Sequence, residues 1–438
     1  MKRSYWILAF LVLCWTRTAF AMGHAPAKTS QQAHVPGEVL VQFWANVTPE
    51  EAQHLIAKAG GTFKEKIDPQ RIYVVSFRSD IPVEKMVARL RAMPEVSHAE
   101  PNGVYEPFFY DLWVPSEVFA EESPGTLGSG AKVKVAVIDT AIDANHPALA
   151  GKVVPGYNVL SGTTNTQSAG IGQDWHGTAS AGRILDGAGG ANVEILPVQV
   201  FGTSGGASWS QIIKAINYAV DNGAQVINMS LGGYASSPLV QQAIDRATER
   251  GILVVASAGN NNTSQPAYPA SMNGVISVAA TNEAGTKASF SNYGPTVDIS
   301  APGDTMRLLS HGGYRMAAGT SFSAPFIAGM AALLKSAFPF LVPRQIEEIF
   351  KAKANAFPDP NQKGMGAGFL HLLDVKRWVA EIQAGTFIFP WTRVPVPPVG
   401  QPNPPVRAAQ PWLVRGGGHG GDFILTPAGD VVVEEKKK

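Results

Sequence analysis

Four short apolar runs with almost no polar interruption constrain the fold of this chain more than any other feature. They lie at 133–138, 193–200, 224–229 and 252–256, and helical patterns fall between them at 209–221 and 238–250. An apolar run without alternation indicates a strand buried on both faces, and strands that alternate with helices indicate a parallel sheet. The sequence therefore predicts an α/β fold with a doubly wound, mostly parallel sheet that is covered by helices on both faces.

The stretch before these runs has another pattern. Between about residues 36 and 106, two helix-like segments separate three strand-like segments, which lie at 37–43, 71–77 and 96–100. The first helix-like segment opens with Thr48 and Glu51, which have the spacing of a capping box. The β-α-β-α-β order predicts a small α+β domain of the ferredoxin-like type, which on this pattern alone could equally be a binding module.

The N-terminus carries the features of a secretory signal. A basic start at Lys2 and Arg3 precedes an apolar run at 5–15, and Ala19-Phe20-Ala21 has the small-x-small pattern of a cleavage site. The run is too short to span a bilayer as a mature helix, so we expect residues 1–21 to be removed and the protein to be secreted or periplasmic, without a membrane span. Their removal would also take away Cys14, the only cysteine, so no disulfide is expected in the mature chain.

Two further stretches lack a clear pattern. Residues 103–131 are irregular, and we interpret them as a connector between domains. Residues 386–438 form a Pro- and Gly-rich extension, in which 390–411 is typical of a linker and 423–434 of a hairpin. Two strands alone are only marginally stable, so the hairpin is expected to dock on the preceding domain or to be removed.

A serine where a loop becomes a helix is the first candidate for chemistry. Gly319-Thr320-Ser321-Phe322-Ser323-Ala324-Pro325 leads into a helical pattern from Phe322 to about Ser336, and Pro325 is expected in the first turn. The unpaired N–H groups of a helix start suit an anion that forms beside Ser321 during acyl transfer. Taken alone, Thr320 or Ser321 is more often an ordinary N-cap.

Three other residues complete a constellation with Ser321. Asp139 ends the first apolar run, His176 opens a helical segment, and Asn260 follows the run at 252–256. Each has an ordinary structural explanation on its own, as a turn residue or a structural histidine. Together the four supply an acid, a base, an oxyanion donor and a nucleophile, each where a strand ends or a helix begins.

These residues lie in motifs that resemble those of subtilisin-like serine endopeptidases, the subtilases. The motifs are Val-Ile-Asp139-Thr, His176-Gly-Thr and Gly-Thr-Ser321-x-Ser-Ala-Pro, in the order Asp, His, Ser that subtilisin also has, and the resemblance covers about residues 132–385. It implies that Ser321 attacks the scissile carbonyl, that His176 transfers the proton and Asp139 orients His176, and that Asn260 binds the oxyanion. The small domain resembles the family's inhibitory propeptides, which gives a propeptide at 22–110 and a catalytic domain at 111–385.

The resemblance also implies how a substrate binds. Two backbone segments, Ser230-Leu231-Gly232 and Ser257-Ala258-Gly259, are expected to line an extended peptide that pairs with them as an added strand. The expected partners are protein and peptide substrates and the chain's own propeptide, an intramolecular inhibitor that is cut within about residues 105–112, just after one of the aromatics between Tyr105 and Tyr110. We expect a monomer.

No cofactor is required for this chemistry, although structural calcium stays open. Ala148 stands where many subtilases have a calcium-binding Asp, and the loop at 186–191 supplies one carboxylate. A hard cation takes about six to eight oxygens, so we expect the commonest subtilase calcium site to be absent and assign no metal ligand.

The alternative function is a catalytically silent subtilase fold that acts as a binding or scaffold protein. Retention of all four site residues argues against it. A nucleotide-binding α/β protein is excluded because no phosphate-loop motif is present. The 35 basic and 34 acidic residues nearly balance, so the net charge does not indicate a basic surface for nucleic acid.

Overall fold

The computed structural model of the chain describes residues 34–78, 80–112 and 130–391, together with three short strands near the C-terminus. The predicted signal peptide, Cys14, residues 113–129 of the predicted connector and residues 392–411 of the predicted linker lie outside the described residues.

The N-terminal domain is an antiparallel sheet with two helices on one face. Its elements are β1 (His34–Phe43), α1 (Pro49–Lys58), β2 (Thr62–Ile67), β3 (Ile72–Ser76), α2 (Val83–Arg91) and β4 (Val96–Pro107). The strands lie in the order β4-β1-β3-β2, and apolar side chains from the sheet and both helices form a core of their own. The ferredoxin-like α+β prediction is confirmed, as is the capping box, in which the Glu51 N–H donates to Thr48 Oγ1 at 3.2 Å.

The strand β2 was missed by the sequence pattern. Only Phe63 and Ile67 among its six residues are apolar, and Lys64 and Lys66 lie between them. Because β2 is at the edge of the sheet, charged side chains are favoured there and the hydrophobic signal is weak. The true order is therefore β-α-β-β-α-β.

The second domain is built on a seven-stranded parallel sheet. The strands of this domain are β5 (Tyr110–Leu112), β6 (Val133–Asp139), β7 (Tyr157–Asn158), β8 (Val193–Gln199), β9 (Ala207–Ser208), β10 (Val226–Met229), β11 (Leu231–Gly232), β12 (Leu253–Ser257), β13 (Val275–Thr281), β14 (Ile299–Pro302), β15 (Met306–Ser310) and β16 (Gly313–Ala318). Of these, β5, β9, β11, β15 and β16 lie outside the parallel sheet. Its helices are α3 (His176–Ala188), α4 (Trp209–Asp221), α5 (Pro238–Glu249), α6 (Thr320–Ala337), α7 (Pro343–Lys353) and α8 (Leu372–Ala384), with a 3-10 turn at Pro147–Leu149. The sheet order is β14-β13-β12-β10-β6-β8-β7, and every neighbouring pair is parallel.

The two faces of this sheet carry separate cores. Along β6, Val133, Val135 and Val137 enter one core while Ala136 and Ile138 enter the other, as the period of two requires. Helices α3, α6, α7 and α8 cover the first face, and α4 and α5 cover the second. The prediction of a doubly wound parallel sheet with helices on both faces is confirmed.

Two glycines bring α3 and α6 into backbone contact. A Cβ added to Gly187 would lie 2.0 Å from the carbonyl oxygen of Phe326, and one added to Gly329 would lie 2.1 Å from that of Ile184. No side chain fits either gap, so the helices lie closer than helices that meet through larger residues. Since α3 begins at His176 and α6 carries Ser321, this contact sets the relative position of the two helix starts.

The helix α6 begins earlier than the sequence pattern predicts. Its N-cap is Gly319, without a side-chain cap, so the interpretation of Thr320 or Ser321 as an ordinary cap is wrong. Pro325 consequently lies in the second turn, not the first. The N–H that Pro325 lacks would have bound the carbonyl of Ser321, which accepts a 2.8 Å hydrogen bond from the Ser230 hydroxyl instead.

The predicted connector is wrong at its N-terminal end. Residues 103–107 continue β4, and residues 110–112 form β5. These residues pair with short strands of the second domain, and such pairing leaves no periodicity in the sequence that would mark it.

Near the C-terminus the predicted hairpin is present with one more strand. Its strands are β17 (Trp412–Val414), β18 (Phe423–Leu425) and β19 (Val431–Val433). The second pairs antiparallel with both of the others. Whether this sheet docks on the preceding domain or is removed stays a prediction.

Candidate active site

Predicted site residues meet at the carboxyl end of the parallel sheet. Asp139 is the last residue of β6, His176 is the first of α3, and Ser321 lies in the first turn of α6. Asp139 Oδ1 and His176 Nδ1 are 2.7 Å apart, and both side chains are fully buried. The parallel topology thus joins an acid and a base that are 37 positions apart in the sequence.

The carboxylate of Asp139 is held through both oxygens. Oδ1 accepts the backbone N–H of Thr140 at 2.6 Å, and Oδ2 accepts the hydroxyl of Ser180 at 2.9 Å. Ser180 lies one helical turn after His176, so the helix that carries the base also orients the acid. These bonds fix the carboxylate in the orientation in which it faces the imidazole.

The hydroxyl of Ser321 is bonded away from His176. Its Oγ donates to the carbonyl of Ser230 at 3.0 Å and accepts the backbone N–H of Phe108 at 3.1 Å. Within the described part of the chain, His176 Nε2 is one of the buried side-chain atoms that make no hydrogen bond. The imidazole therefore keeps one nitrogen for Asp139 and has its other nitrogen open as a proton acceptor.

Two hydrogen bonds from Thr320 set the orientation of the Asn260 amide. Asn260 Oδ1 accepts the Thr320 backbone N–H at 3.0 Å and the Thr320 hydroxyl at 2.8 Å. The amide nitrogen then lies 3.2 Å from the place of a Cβ added to Gly319, and the carbonyl oxygen of Phe108 lies 2.5 Å from that place. The same carbonyl accepts the backbone N–H of Ser321 at 3.3 Å.

The end of the N-terminal domain enters the second domain as an added strand. β4 lies between two short strands, pairing through residues 104–105 with β9 and through residues 106–107 with β11, both antiparallel. A Cβ on Gly232 would lie 2.7 Å from the ring of Phe108, so the glycine allows the ring to lie against β11. The chain is thereby fixed in an extended form up to Phe108.

The chain then continues through the site beyond Phe108. The ring of Phe109 lies 4.8 Å from the His176 ring and 5.2 Å from that of Trp175, measured between centroids. After it, β5 pairs antiparallel with residues 316–318 of β16. The peptide bond between Phe108 and Phe109 thus lies beside the candidate nucleophile and the candidate base.

Of the two segments predicted to line a substrate, one pairs with β4. Leu231 and Gly232 form that pairing, and Ser230 bonds to Ser321. The other segment, Ser257-Ala258-Gly259, follows β12 and makes backbone hydrogen bonds within its own domain, to Val278, Asn292 and Thr320. The other strand that pairs with the end of β4 is β9, which sequence reasoning missed because two residues carry no period. The sequence feature that could have indicated this strand is the pair Gly205-Gly206 just before it. A Cβ on Gly206 would lie 2.6 Å from the carbonyl oxygen of Tyr105, so a glycine is needed where β4 approaches.

The N-terminal domain also supplies hydrogen-bond acceptors at the starts of two helices of the second domain. Asn102 Oδ1 accepts the backbone N–H of Ser210 in the first turn of α4 at 3.1 Å, and Glu100 accepts the hydroxyl of Ser237, the N-cap of α5, at 2.5 Å. Acceptors and negative charge are favoured at helix N-termini. Tyr105 is fully buried against Trp209, and this burial raises the pKa of its phenol well above the usual value.

The hairpin of β15 and β16, which holds β5, is tied to the loop after Asp139 by the buried Asp143. Its carboxylate accepts the Gly312 N–H at 2.9 Å and the Gln167 amide at 2.8 Å, and His311 lies 3.6 Å away. Burial raises the pKa of Asp143. The hydrogen bonds from Gly312, Gln167 and the Asn145 backbone, with the charge of His311, outweigh burial and hold that pKa below its ordinary value.

We expect Asp143→Asn to destabilise the chain more at neutral pH than in acid. Since the pKa of Asp143 is lower in the folded chain, its carboxylate stabilises the fold above the unfolded pKa of about 3.9, and this contribution is lost as the pH falls through the folded pKa. At pH 7 the NH₂ group of the substituted side chain would face N–H groups that now donate to the carboxylate. The hydrogen bonds lost in this way cost about 1–3 kcal/mol of folding free energy.

The measurement is the free energy of unfolding in urea at about pH 7 and pH 3, made on Ser321→Ala chains so that proteolysis does not interfere. The exposed Asp359→Asn is the control and should change stability by less than about 0.5 kcal/mol. An equal loss from Asp143→Asn at both pH values would contradict the electrostatic explanation.

Neither a metal cluster nor a membrane-spanning helix is found within the described ranges. In them, no three or more His, Cys, Asp or Glu side chains are grouped to hold a metal ion. None of their helices is both long enough and apolar enough to cross a bilayer. Asp186, the carboxylate of the loop at 186–191, binds the guanidinium of Arg183 at 2.8 Å.

Comparison with known proteins agrees with this geometry. Residues 130–368 match the subtilase family, and residues 21–102 match the fervidolysin N-terminal prodomain. The chain is 35% identical over 328 residues to the thermophilic serine proteinase of Bacillus sp. (strain AK1), which covers 69% of this chain and 79% of that protein. It is 36% identical over 242 residues to thermitase of Thermoactinomyces vulgaris, covering 54% of this chain and 85% of thermitase.

A solved structure extends the likeness to both domains. Fervidolysin from Fervidobacterium pennivorans, described as a keratinolytic enzyme related to subtilisin, is similar with a TM-score of 0.66 at 25% identity over 78% of this chain. The chain spans 61% of the fervidolysin chain. The family match covers more than half of the chain, and the last strand of the prodomain pairs with β9 and β11 on its way to Ser321. The chain therefore belongs to the subtilase family and is a subtilisin-like serine endopeptidase with an N-terminal propeptide.

Proposed function

We propose that Ser321 is the nucleophile, His176 the general base, Asp139 the acid that orients it, and Asn260 an oxyanion donor. The observation that carries this proposal is the position of the Phe108 carbonyl. Its oxygen accepts the Ser321 N–H at 3.3 Å, while the ring of the next residue packs on His176. An acyl group, a nucleophile and a base are thus already together in one site.

The reaction that follows from these positions is acyl transfer. Ser321 Oγ attacks the carbonyl carbon and gives its proton to His176 Nε2, while His176 Nδ1–H donates to Asp139 and the imidazolium is stabilised by that carboxylate. The Ser321 N–H and the Asn260 amide bind the oxyanion. Collapse of the tetrahedral intermediate breaks the C–N bond, and His176 protonates the leaving amine. Water then attacks the acyl-enzyme, with His176 taking a proton from the water and returning it to Ser321 Oγ as the acyl group leaves.

The propeptide is proposed to be both the first substrate and an inhibitor. The bond cut is Phe108–Phe109, inside the predicted range of 105–112 and two residues before the boundary predicted at 110. In the precursor the Ser321 hydroxyl donates to Ser230, so its side chain has to turn towards His176 before it attacks. After the cut, the pairing of β4 and the hydrogen bonds of Asn102 and Glu100 at the starts of α4 and α5 keep the propeptide bound as a product.

Substrates are proposed to be proteins and peptides that bind in the place of β4. An extended segment would pair with Ala207–Ser208 on one side and with Leu231 and Gly232 on the other. Ser230, Ser257, Ala258 and Gly259 would form the walls around the residue before the cut. Phe108 occupies this position in the precursor, so an apolar side chain is favoured there.

Chemistry in this family requires no cofactor, and we propose that the commonest subtilase calcium site is missing. The single carboxylate of the loop at 186–191 is bound by Arg183, whereas calcium takes about six to eight oxygens. We further propose export through residues 1–21, a monomer as the active form, and no nucleic-acid partner, which the near balance of 35 basic and 34 acidic residues supports.

The test is the identity of the cut bond and of the labelled serine. The full chain is expressed with its leader, allowed to process, and analysed by intact mass and N-terminal sequencing. It is then treated with a fluorophosphonate and mapped by peptide mass. We expect a catalytic chain that begins at Phe109 and a single adduct on Ser321. Another first residue would refute the proposed bond, and an adduct elsewhere would refute the nucleophile.

A further inference from the structure

The residue after the proposed cut packs on a tryptophan that directly precedes the base. Trp175 is the N-cap residue of α3 and is 3% exposed in the precursor. The ring of Phe109 stands edge-on to it, with an interplanar angle of 83° at 5.2 Å. Phe109 therefore makes a directed aromatic contact here as well as covering apolar surface.

The tryptophan is fixed by residues from two other elements of the site. Phe322, next to Ser321 on α6, stacks on it at 6.1 Å, and the Arg315 guanidinium on β16 lies 4.5 Å from the centre of its ring. Because Phe322 and Arg315 both belong to the second domain, both contacts with Trp175 remain when the propeptide leaves. The surface that Phe109 contacts is preformed, so a substrate side chain binds there with little reorganisation.

The surroundings of Phe109 are otherwise apolar. Met306, Leu308 and Ala317 of the β15–β16 hairpin belong to the same cluster as Trp175 and Phe322, and Phe109 packs against that cluster. The next residues, 110–112, pair with β16, which fixes the register of the chain after the cut. The chain is thus held after Phe109 by the pairing with β16 and before it by the hydrogen bond between the Phe108 carbonyl and the Ser321 N–H. A side chain between these two points is directed to Trp175.

We propose that Trp175 is a specificity-determining residue that selects an aromatic side chain immediately after the scissile bond. The inference rests on the proposed cut between Phe108 and Phe109. An edge-to-face pair strengthens binding by a factor of roughly 2 to 12 beyond the effect of buried area, and a small side chain loses the buried area as well. If Trp175 only filled the core, its replacement would slow the cleavage of all substrates equally.

The test uses the self-processed full chain and internally quenched peptides that differ only in the residue after the cut, which is Phe, Leu or Ala. For the unaltered enzyme we expect kcat/KM on the Phe peptide to exceed that on the Ala peptide by about 10- to 100-fold. In Trp175→Ala this ratio should fall below about threefold, whereas Trp175→Phe should keep most of it. Titration of Ser321 with a fluorophosphonate corrects each rate for the fraction of folded enzyme.

Trp391→Ala is the matched control. Trp391 follows α8, is 43% exposed and stacks on Phe389 at 5.1 Å, so its removal should leave the Phe-to-Ala ratio unchanged. If Trp175→Ala does not fold, Trp175→Leu keeps an apolar side chain and should favour the Leu peptide over the Phe peptide.

The outcomes separate this inference from the function on which it rests. Equal kcat/KM for all three peptides, or an undiminished Phe-to-Ala ratio in the Trp175 variants, would overturn the role of Trp175 and leave the protease intact. Failure of the unaltered chain to process itself or to cut any peptide would overturn the proposed function, and the inference with it.

Discussion

The Ser321→Ala chain is expected to stay in one piece under conditions in which the unaltered chain separates into propeptide and catalytic domain. Only the hydroxyl oxygen is removed, and Ser321 Oγ is the atom that forms the acyl bond in the proposed reaction. In subtilisin, loss of the nucleophile lowers kcat by a factor on the order of 10⁶, and a similar loss here would stop processing on any practical timescale. Intact mass measured over a day at several pH values gives the result directly.

The control for this experiment is Ser323→Ala in the same helix. Ser323 is buried, and its hydroxyl donates to the carbonyl of Ala301 at 2.9 Å, so its removal has a comparable structural cost without touching the scissile bond. Ser323→Ala should still process. If the Ser321→Ala chain splits at the same bond and rate as the unaltered chain, an outside protease makes the cut and the zymogen mechanism is wrong.

The second large effect is expected from Asn260→Ala. The proposed amide donor faces the Phe108 carbonyl region, and Thr320 holds the other end of the amide group through two hydrogen bonds. Removing one oxyanion donor lowers kcat by roughly 10²- to 10³-fold with little change in KM, which is the magnitude known for the equivalent change in subtilisin. The measurement is kcat and KM on one peptide substrate, with active sites titrated.

Variants of Thr320 separate orientation from stability in this prediction. Thr320→Ser keeps the hydroxyl and should retain activity, whereas Thr320→Val removes one of the two bonds to Asn260 Oδ1 and should give a smaller loss than Asn260→Ala. Thermal unfolding of each variant shows how much of the change is structural. A rise in KM with unchanged kcat for Asn260→Ala would mean that the amide binds the ground state and the transition state equally.

Patterns that repeat along the chain predicted most of the architecture. Strands buried on both faces are unbroken apolar runs, so β6, β8, β10 and β12 could be recognised without any partner. Asp139 and His176 could then be placed because parallel strands bring their carboxyl ends to one edge. The roles of the four site residues rested on the family's motifs, since a lone Asp, His or Asn carries no such information.

Features that exist only through a partner could not be predicted. The strands β9 and β11 have two residues each, and they are strands because β4 lies between them. The start of α6 was misplaced for a related reason. The gap that Pro325 leaves in the helix is filled by the hydroxyl of Ser230, which lies 91 positions away in the sequence. Hydrogen bonds between such distant residues leave no local trace.

The pairing of β5 with β16 has a consequence for the first moments of the mature enzyme. The proposed cut releases the propeptide as a separate molecule, but residues 110–112 stay on the catalytic chain, joined to Gly130 by residues 113–129. A ligand attached to its own receptor meets the site at an effective concentration that is typically millimolar, far above that of most free peptides. In the proposed mechanism the new N-terminus is therefore a product that stays attached to the enzyme, and it competes with incoming substrates for pairing with β16.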